Sequence, residues 1–301
     1  MRPRVRVSGM ILLVLLLVGC GGAGPATPPT DTGAIRLVSY DFAENQVLAA
    51  VYAEGLRRTG LPVIVHQAVG TREVVEPALE QGVADVVIDY AGTALRFTRP
   101  GGSTSGLSSD QLRAQLATEL GGRGVSVLAA ASAEDQNGFA VSEAFARGHG
   151  GLARLSQLAA FAPGLTFAGP PECPERPLCL PGLRDVYGLQ FGRVRSLPSR
   201  AATVEALVDG DIDVGLLETT DARLGTAPVA LLADDRGLQP HENVVPLVRT
   251  TALRRWGDRL RASLDATSAR LTTAELVRLN RSVEVDHLTP ETAATRWWAG
   301  G

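Results

Sequence analysis

"IRLVSYDFAENQVLAAVYAEGLRRTGLPVIVHQAVGTREVVEPALEQGVADVVIDY", residues 35–90, decides the fold. Three short runs rich in β-branched residues, 35–40, 61–69 and 84–90, read as strands. Between them, 44–60 and 71–82 carry apolar residues at helical spacing, and the first of these ends on Gly60. The order strand, helix, strand, helix, strand predicts a parallel sheet with helical crossovers.

Working outward, a second cycle starts at "GFAVSEAFA" (138–146) and continues through "LTFAGPPE" (165–172). It then predicts helices over 180–188 and 201–210 and a strand over 212–220, "IDVGLLETT" from Ile212. Each cycle ends an apolar strand on an acid and a polar turn. Residues 125–137 cross from the first cycle to the second, and the chain after Ala227 heads back. Two crossings predict an α/β protein of two Rossmann-like lobes, 34–131 plus 233–301 and 132–232, joined by a two-strand hinge with a cleft at the strand ends. The arginine-rich last third reads as helical packing with a solvated polar face.

The N-terminus has a different character. "MRPRVRVSGMILLVLLLVGCGG" places Arg2, Arg4 and Arg6 before an apolar run too short to span a bilayer comfortably, the layout of a signal peptide over 1–19. Leu17-Val18-Gly19-Cys20 resembles the lipobox of bacterial lipoproteins, which implies a lipidated Cys20 that anchors the chain to a membrane outer face. An ordinary secretory cleavage site is the alternative. Residues 20–33, rich in Gly, Pro and Thr, read as a flexible tether. Cys173 and Cys179 are the remaining cysteines, and in an exported chain they are expected to form a local disulfide across a proline-rich loop.

Composition excludes several functions. The net charge of -3 falls to -6 once the three leader arginines are removed, so no basic surface recommends nucleic acid as a partner. All 29 basic side chains are arginine, which rules out a Schiff-base lysine and a P-loop lysine. No G-x-S-x-G, H-E-x-x-H or paired C-x-x-C motif occurs, and His66, His149, His241 and His287 are scattered. The acid pairs Asp211/Asp213 and Asp234/Asp235 flank glycine turns, where capping or solvation accounts for them. Neither cofactor nor metal is implied.

From Ile35 to about Ala299 the chain resembles the substrate-binding proteins of osmoprotectant ABC transporters, those for glycine betaine, choline and carnitine. The blocks that carry the resemblance are "VSYDFAENQVLAAVYAEGL", "VGTREVVEPALEQGVADVVIDYAGTAL", "AEDQNGFAV", "GPPECPERPLCLPGLRDVYGLQF", "VEALVDGDIDVGLLETTDARL" and "LADDRGLQPHENVVPLVR", in the family's order. The resemblance implies a bilobal periplasmic-binding-protein fold of type II-like architecture. It also implies a quaternary ammonium held by aromatic faces, because a methylated nitrogen offers no hydrogen-bond donor and is stabilised instead by ring quadrupoles.

Residue by residue, Tyr90 matches one cage tyrosine and Phe139 another that has lost its hydroxyl. The two are expected on opposite lobes across a hinge near 131–136, core packing being the alternative for each. Tyr40, beside Asp41, stands where the family commonly has a lysine that meets a ligand carboxylate. Glu218 replaces a further aromatic wall and puts a formal charge there, unless it is a solvated strand end. Arg176 aligns with an arginine that forks onto carboxylates, or else is a surface residue of the Cys173–Cys179 loop. Thr71 offers its hydroxyl and a helix N-terminus, or is simply an N-cap.

The expected function is therefore capture of a cationic or zwitterionic solute and its presentation to a permease by a lipid-anchored monomer that is not an enzyme. Two rivals stay open: an exofacial hydrolase or transferase using Asp41, Glu218 and Asp221 as acids, and an interaction lipoprotein that has lost its ligand.

Overall fold

The computed structural model describes residues 33–300. The leader, Cys20 and all of the tether before Gly33 lie outside the described residues. Ten strands form two five-stranded sheets. The first holds β1 (Ile35–Tyr40), β2 (Val63–Gly70), β3 (Val86–Tyr90), β4 (Val125–Val127) and β10 (Val244–Arg249), in the order β2-β1-β3-β10-β4. The second holds β5 (Asn137–Ser142), β6 (Thr166–Gly169), β7 (Arg193–Ser196), β8 (Val214–Glu218) and β9 (Val229–Leu232), in the order β7-β6-β8-β5-β9.

β1 runs parallel to β2 and β3, as the strand-helix alternation of residues 35–90 requires. The sheet is nevertheless mixed, because β10 lies antiparallel between β3 and β4. The register explains why. β10 begins with Val244 opposite Tyr90, the last residue of β3, so the chain returning from the second lobe enters at the top edge and can only descend. In the second sheet β5 starts with Asn137 opposite Glu218, the last residue of β8, and runs down antiparallel to it. Both crossings therefore meet where β3 and β8 end, and they pair there through a bridge between Glu134 and Asn243.

The helices follow the two faces that strand alternation creates. Ile35, Leu37, Val86 and Ile88 pack on one face of the first sheet against α1 (Ala43–Arg58), α8 (Thr250–Arg270), α9 (Thr273–Glu284) and α10 (Pro290–Ala299). Val38, Tyr40, Val87 and Leu247 face the other way, toward α2 (Arg72–Glu80), α3 (Ala91–Thr98) and α4 (Ser109–Gly121). In the second lobe Phe139, Val141, Phe167 and Leu216 pack with α5 (Glu143–Gly148) and α6 (Leu180–Tyr187), while Ala140, Ala168 and Leu217 meet α7 (Arg200–Asp209). Fully burying one such Leu, Ile or Val contributes roughly 1.5–3 kcal/mol, so each lobe has its own core to hold it together.

Local chemistry sets the boundaries. Ser108 and Gln111 form a capping box at the start of α4, and the chain leaves α1 through Gly60, at φ +75. Cys173 and Cys179 form the expected disulfide, with Cα atoms 5.4 Å apart, and both are buried in the second lobe's core. Three of the acids flanking glycine turns take structural roles. Asp213 accepts from the Thr166 N–H (2.7 Å), and Asp234 from the Tyr187 hydroxyl (2.5 Å) and the Leu238 N–H (2.9 Å). Asp235 accepts from the Ser156 hydroxyl at 2.5 Å. Among the described residues no cluster of His, Cys, Asp or Glu is arranged to hold a metal, and no helix is long and apolar enough to cross a membrane.

Candidate functional site

The top of β1 and β3 sends two tyrosines to opposite faces of one sheet. Tyr40 shares a face with Asp89, and its hydroxyl donates to Asp89 Oδ2 at 2.5 Å. Arg72, which opens α2, forks onto the same carboxylate (2.5 and 3.1 Å) and lays its guanidinium 4.9 Å from the Tyr40 ring centroid. Tyr40 is thereby committed to the interior of its lobe; burial, and Asp89 after it, holds its phenol far from ionising. Glu76 completes this cluster. Burial, reinforced by Asp89, pushes its carboxyl up to about 8, and its Oε1 has no partner.

Tyr90 faces the other way. Its ring is 6 % exposed and belongs to the core beneath α1, but its hydroxyl donates to Glu44 Oε1 at 2.5 Å. Glu44 Oε2 accepts from Asn280 Nδ2 on α9 at 2.6 Å, and the same Nδ2 donates to the Thr220 carbonyl of the second lobe at 3.0 Å. Tyr90 thus stands one hydrogen bond behind the inter-lobe wall. Phe42, in the turn after β1, is 42 % exposed and caps the two tyrosines, its ring centroid 6.0 Å from Tyr40 and 6.2 Å from Tyr90, at interplanar angles of 10° and 29°.

In front of this layer lies a cavity of about 390 Å³. The first lobe supplies Phe42, Ala43, Glu44, Asn280 and Glu284; the first crossing supplies Asp135; the second lobe supplies Arg200, Glu218, Thr220, Asp221 and Arg223. Five carboxylates thus meet two guanidinium groups. Arg200 holds Glu218 at 2.9 Å, and Arg223 lies 3.5 Å from Asp221 and 4.0 Å from Glu284. Among the ion pairs of the described residues, no basic side chain is paired with Glu44 or Asp135. Asp135 has the Thr220 hydroxyl at 2.8 Å. Burial raises both carboxyls: Asp135 stands well above the usual carboxylate range, with Glu44 and Glu218 adding to the effect, while hydrogen bonds from Tyr90 and Asn280 moderate the rise at Glu44.

Asp135 also borders a second cavity, of about 340 Å³, with Gln136 of the crossing, Asn137 at the start of β5, and Thr93, Arg96 and Glu242 of the first lobe. Arg176, Pro177 and Leu178 close it from the second lobe. Glu242 is engaged there by Arg96 (2.7 Å) and by the Thr93 N–H (2.7 Å) and hydroxyl (2.9 Å).

The structure distributes the sequence candidates unevenly. Glu218 lines the first cavity, with its charge already held by Arg200. Arg176 lines the second and is paired with Glu172 at 3.0 Å. Phe139 is a correction to the cage expectation: it is 1 % exposed, its ring lies 6.3 Å from that of Phe167, and it belongs to the second lobe's core. The physical reason is period-two alternation, which sends Phe139 to the same inward face as Val141. Tyr40 and Tyr90 sit behind the cavity wall. Asp41 is exposed in the turn after β1. Thr71 precedes α2 as its N-cap residue, and its side chain hydrogen-bonds Glu73, lowering that carboxyl.

Sequence reasoning passed over Glu44, Asp135 and Asn280 as site residues. Glu44 in the first turn of a helix looks like a dipole partner, and Asp135 lies in a crossing without regular structure. Asn280 carried a readable signal. It follows Leu276 and Leu279 on the buried stripe of α9, where an amide is out of place unless it has a polar task.

The sequence model of the family described as "Substrate binding domain of ABC-type glycine betaine transport system" matches residues 33–300. The chain is 28% identical to the glycine-betaine-binding protein of Pseudomonas aeruginosa, over 94% of this chain and 91% of that one. Among solved structures it is similar to apo YehZ from Escherichia coli, with a TM-score of 0.79 and 22% identity over 89% of this chain and 98% of that one. It is also similar to a glycine betaine/carnitine/choline ABC transporter structure, with a TM-score of 0.81 and 18% identity over 88% of this chain and 98% of that one. These likenesses carry the two-lobed binding-protein fold. With the family model spanning both lobes, the chain belongs to the substrate-binding domains of ABC-type glycine betaine transport systems.

Proposed function

We propose that the protein captures a small amine cation or zwitterion outside the cytoplasm and presents it to the permease of an ABC importer. The ligand class is that of compatible solutes such as glycine betaine, choline, carnitine and related amines, the first of which is named in the family's description. The single observation that carries this reading is the pair of carboxylates, buried Glu44 and half-buried Asp135, that face an inter-lobe cavity and, among the described residues, have no basic partner. A carboxylate removed from water is costly until a cation joins it. Groups from both lobes and from the crossing line the same cavity, so a cation held there favours the shut arrangement by whatever contacts it gains on closure.

The remaining elements of the proposal follow from the sequence. Cys20, lipidated after removal of residues 1–19, anchors the protein to the membrane outer face, and residues 21–33 give it reach. It works as a monomer without cofactor, and nucleotide hydrolysis belongs to a separate subunit. Catalysis is not part of the reading: Glu218 and Asp221, two of the acids a hydrolase would need, are each paired with an arginine.

Titration calorimetry with a panel of amine solutes tests the proposal. Glu44→Gln and Asp135→Asn keep shape and remove charge, and each is expected to weaken binding at least about tenfold, the equivalent of 1.4 kcal/mol. Unchanged affinity in both variants would place the ligand elsewhere.

A further inference from the structure

Resting on the proposed capture of an amine, the inter-lobe cavity also carries information about which amine. A fully methylated nitrogen presents only C–H groups and is best held by ring faces, whereas an ammonium with N–H bonds needs acceptors to replace its hydration. The two chemistries leave different walls.

Among the described residues Phe42 is the one ring that lines this cavity. Its stacking on Tyr40, with centroids 6.0 Å apart and planes at 10°, leaves no slot between those rings. A methyl group between two parallel rings needs carbon–carbon contacts of about 3.5–4.0 Å on each side, hence about 7 Å between planes. Acceptors, by contrast, are abundant. Among the described residues Glu44 and Asp135 lack a basic partner, and Glu44 has only neutral donors, the Thr220 hydroxyl, Tyr90 and Asn280, around its oxygens.

An independent observation comes from Asn280, which is 3 % exposed and lines the same cavity. Its Nδ2 is fixed because both neighbours, Glu44 Oε2 and the Thr220 carbonyl, are acceptors, so the amide has one sensible orientation. Its Oδ1 is left without any donor. A buried amide oxygen without a partner is a place where an N–H is missing.

From this wall we infer that the site selects amines that retain at least one N–H on the charged nitrogen, in preference to their fully methylated counterparts. The N–H is given to Glu44, Asp135 or, once the lobes close, Asn280 Oδ1, and any remaining methyl groups rest against the single face of Phe42.

Two series that differ only in methylation test this by calorimetry at pH 7: choline, N,N-dimethylethanolamine and ethanolamine; glycine betaine, N,N-dimethylglycine and sarcosine. Loss of the third methyl is expected to tighten binding at least tenfold in either series, and Glu44→Gln and Asp135→Asn are each expected to shrink that preference. If the trimethylated member binds as tightly as its dimethyl analogue or more so, the inference is overturned while capture of an amine stands. If no member of either series binds, both fall together.

Discussion

Glu44 makes the electrostatics of this protein concrete at the scale of one residue. Burial raises its carboxyl and that of Asp135, and a cation bound beside them favours the ionised forms and so lowers both. Binding should therefore release protons, and affinity should rise with pH across the range in which these carboxyls ionise. Calorimetry in buffers of different ionisation enthalpy measures the release directly. Proton uptake on binding would reverse the assignment.

Glu76 gives a second residue-scale prediction, independent of ligand. Its folded-state carboxyl titrates near 8, raised by burial and by Asp89, against 4.5 when exposed. The folded state then binds more protons than the unfolded one between those values, so stability is highest below the lower value and falls as pH rises toward 8. Glu76→Gln, neutral at every pH, should flatten that fall in urea denaturation curves recorded from pH 5 to 8. An unaltered slope would show that Glu76 is not its source. Sequence reading singled out Tyr90 because a strand-end aromatic is visible in a pattern, and the ring packs in the first lobe's core behind the cavity wall. The same reading missed Asp135 because which carboxylate lacks a cation is settled by packing between distant segments, and it left Phe139 open between cage and core.

At the scale of elements, α1 depends on one glycine. A Cβ at Gly55 would lie 2.6 Å from Thr267 Oγ1 on α8 and 2.8 Å from the Trp298 ring on α10, so three helices meet over a position with no room. Gly55→Ala should destabilise by about 1–3 kcal/mol through overpacking, despite alanine's better helix propensity. Urea midpoints check the sign; a stabilised variant would mean the helices separate without penalty. The strands and helices of residues 35–90 were legible because each carries its own period. The direction of β10 was not, since nothing within "VVPLVR" says that the chain arrives at the top edge of the sheet. Only the crossing fixes that.

For the whole molecule, two lobes and two crossings were legible from the repeated strand-acid-turn pattern, but the contacts that join the lobes were not. Asn280 ties Glu44 of the first lobe to the Thr220 carbonyl of the second, and Arg223 faces Glu284 at 4.0 Å across the same gap. Asn280→Ala removes both amide hydrogen bonds and should lower stability by about 1–3 kcal/mol, read by urea denaturation. An equally stable variant would show that the lobes need no such tie.

Everything at these three scales converges on one location for the ligand's charge, and a crystal structure of the complex with a bound amine measures that location. The account expects the charged nitrogen between the lobes within about 4 Å of the Glu44 and Asp135 carboxylates, with Phe42 alongside. A nitrogen found in the Arg176 cavity, remote from both carboxylates, would contradict it.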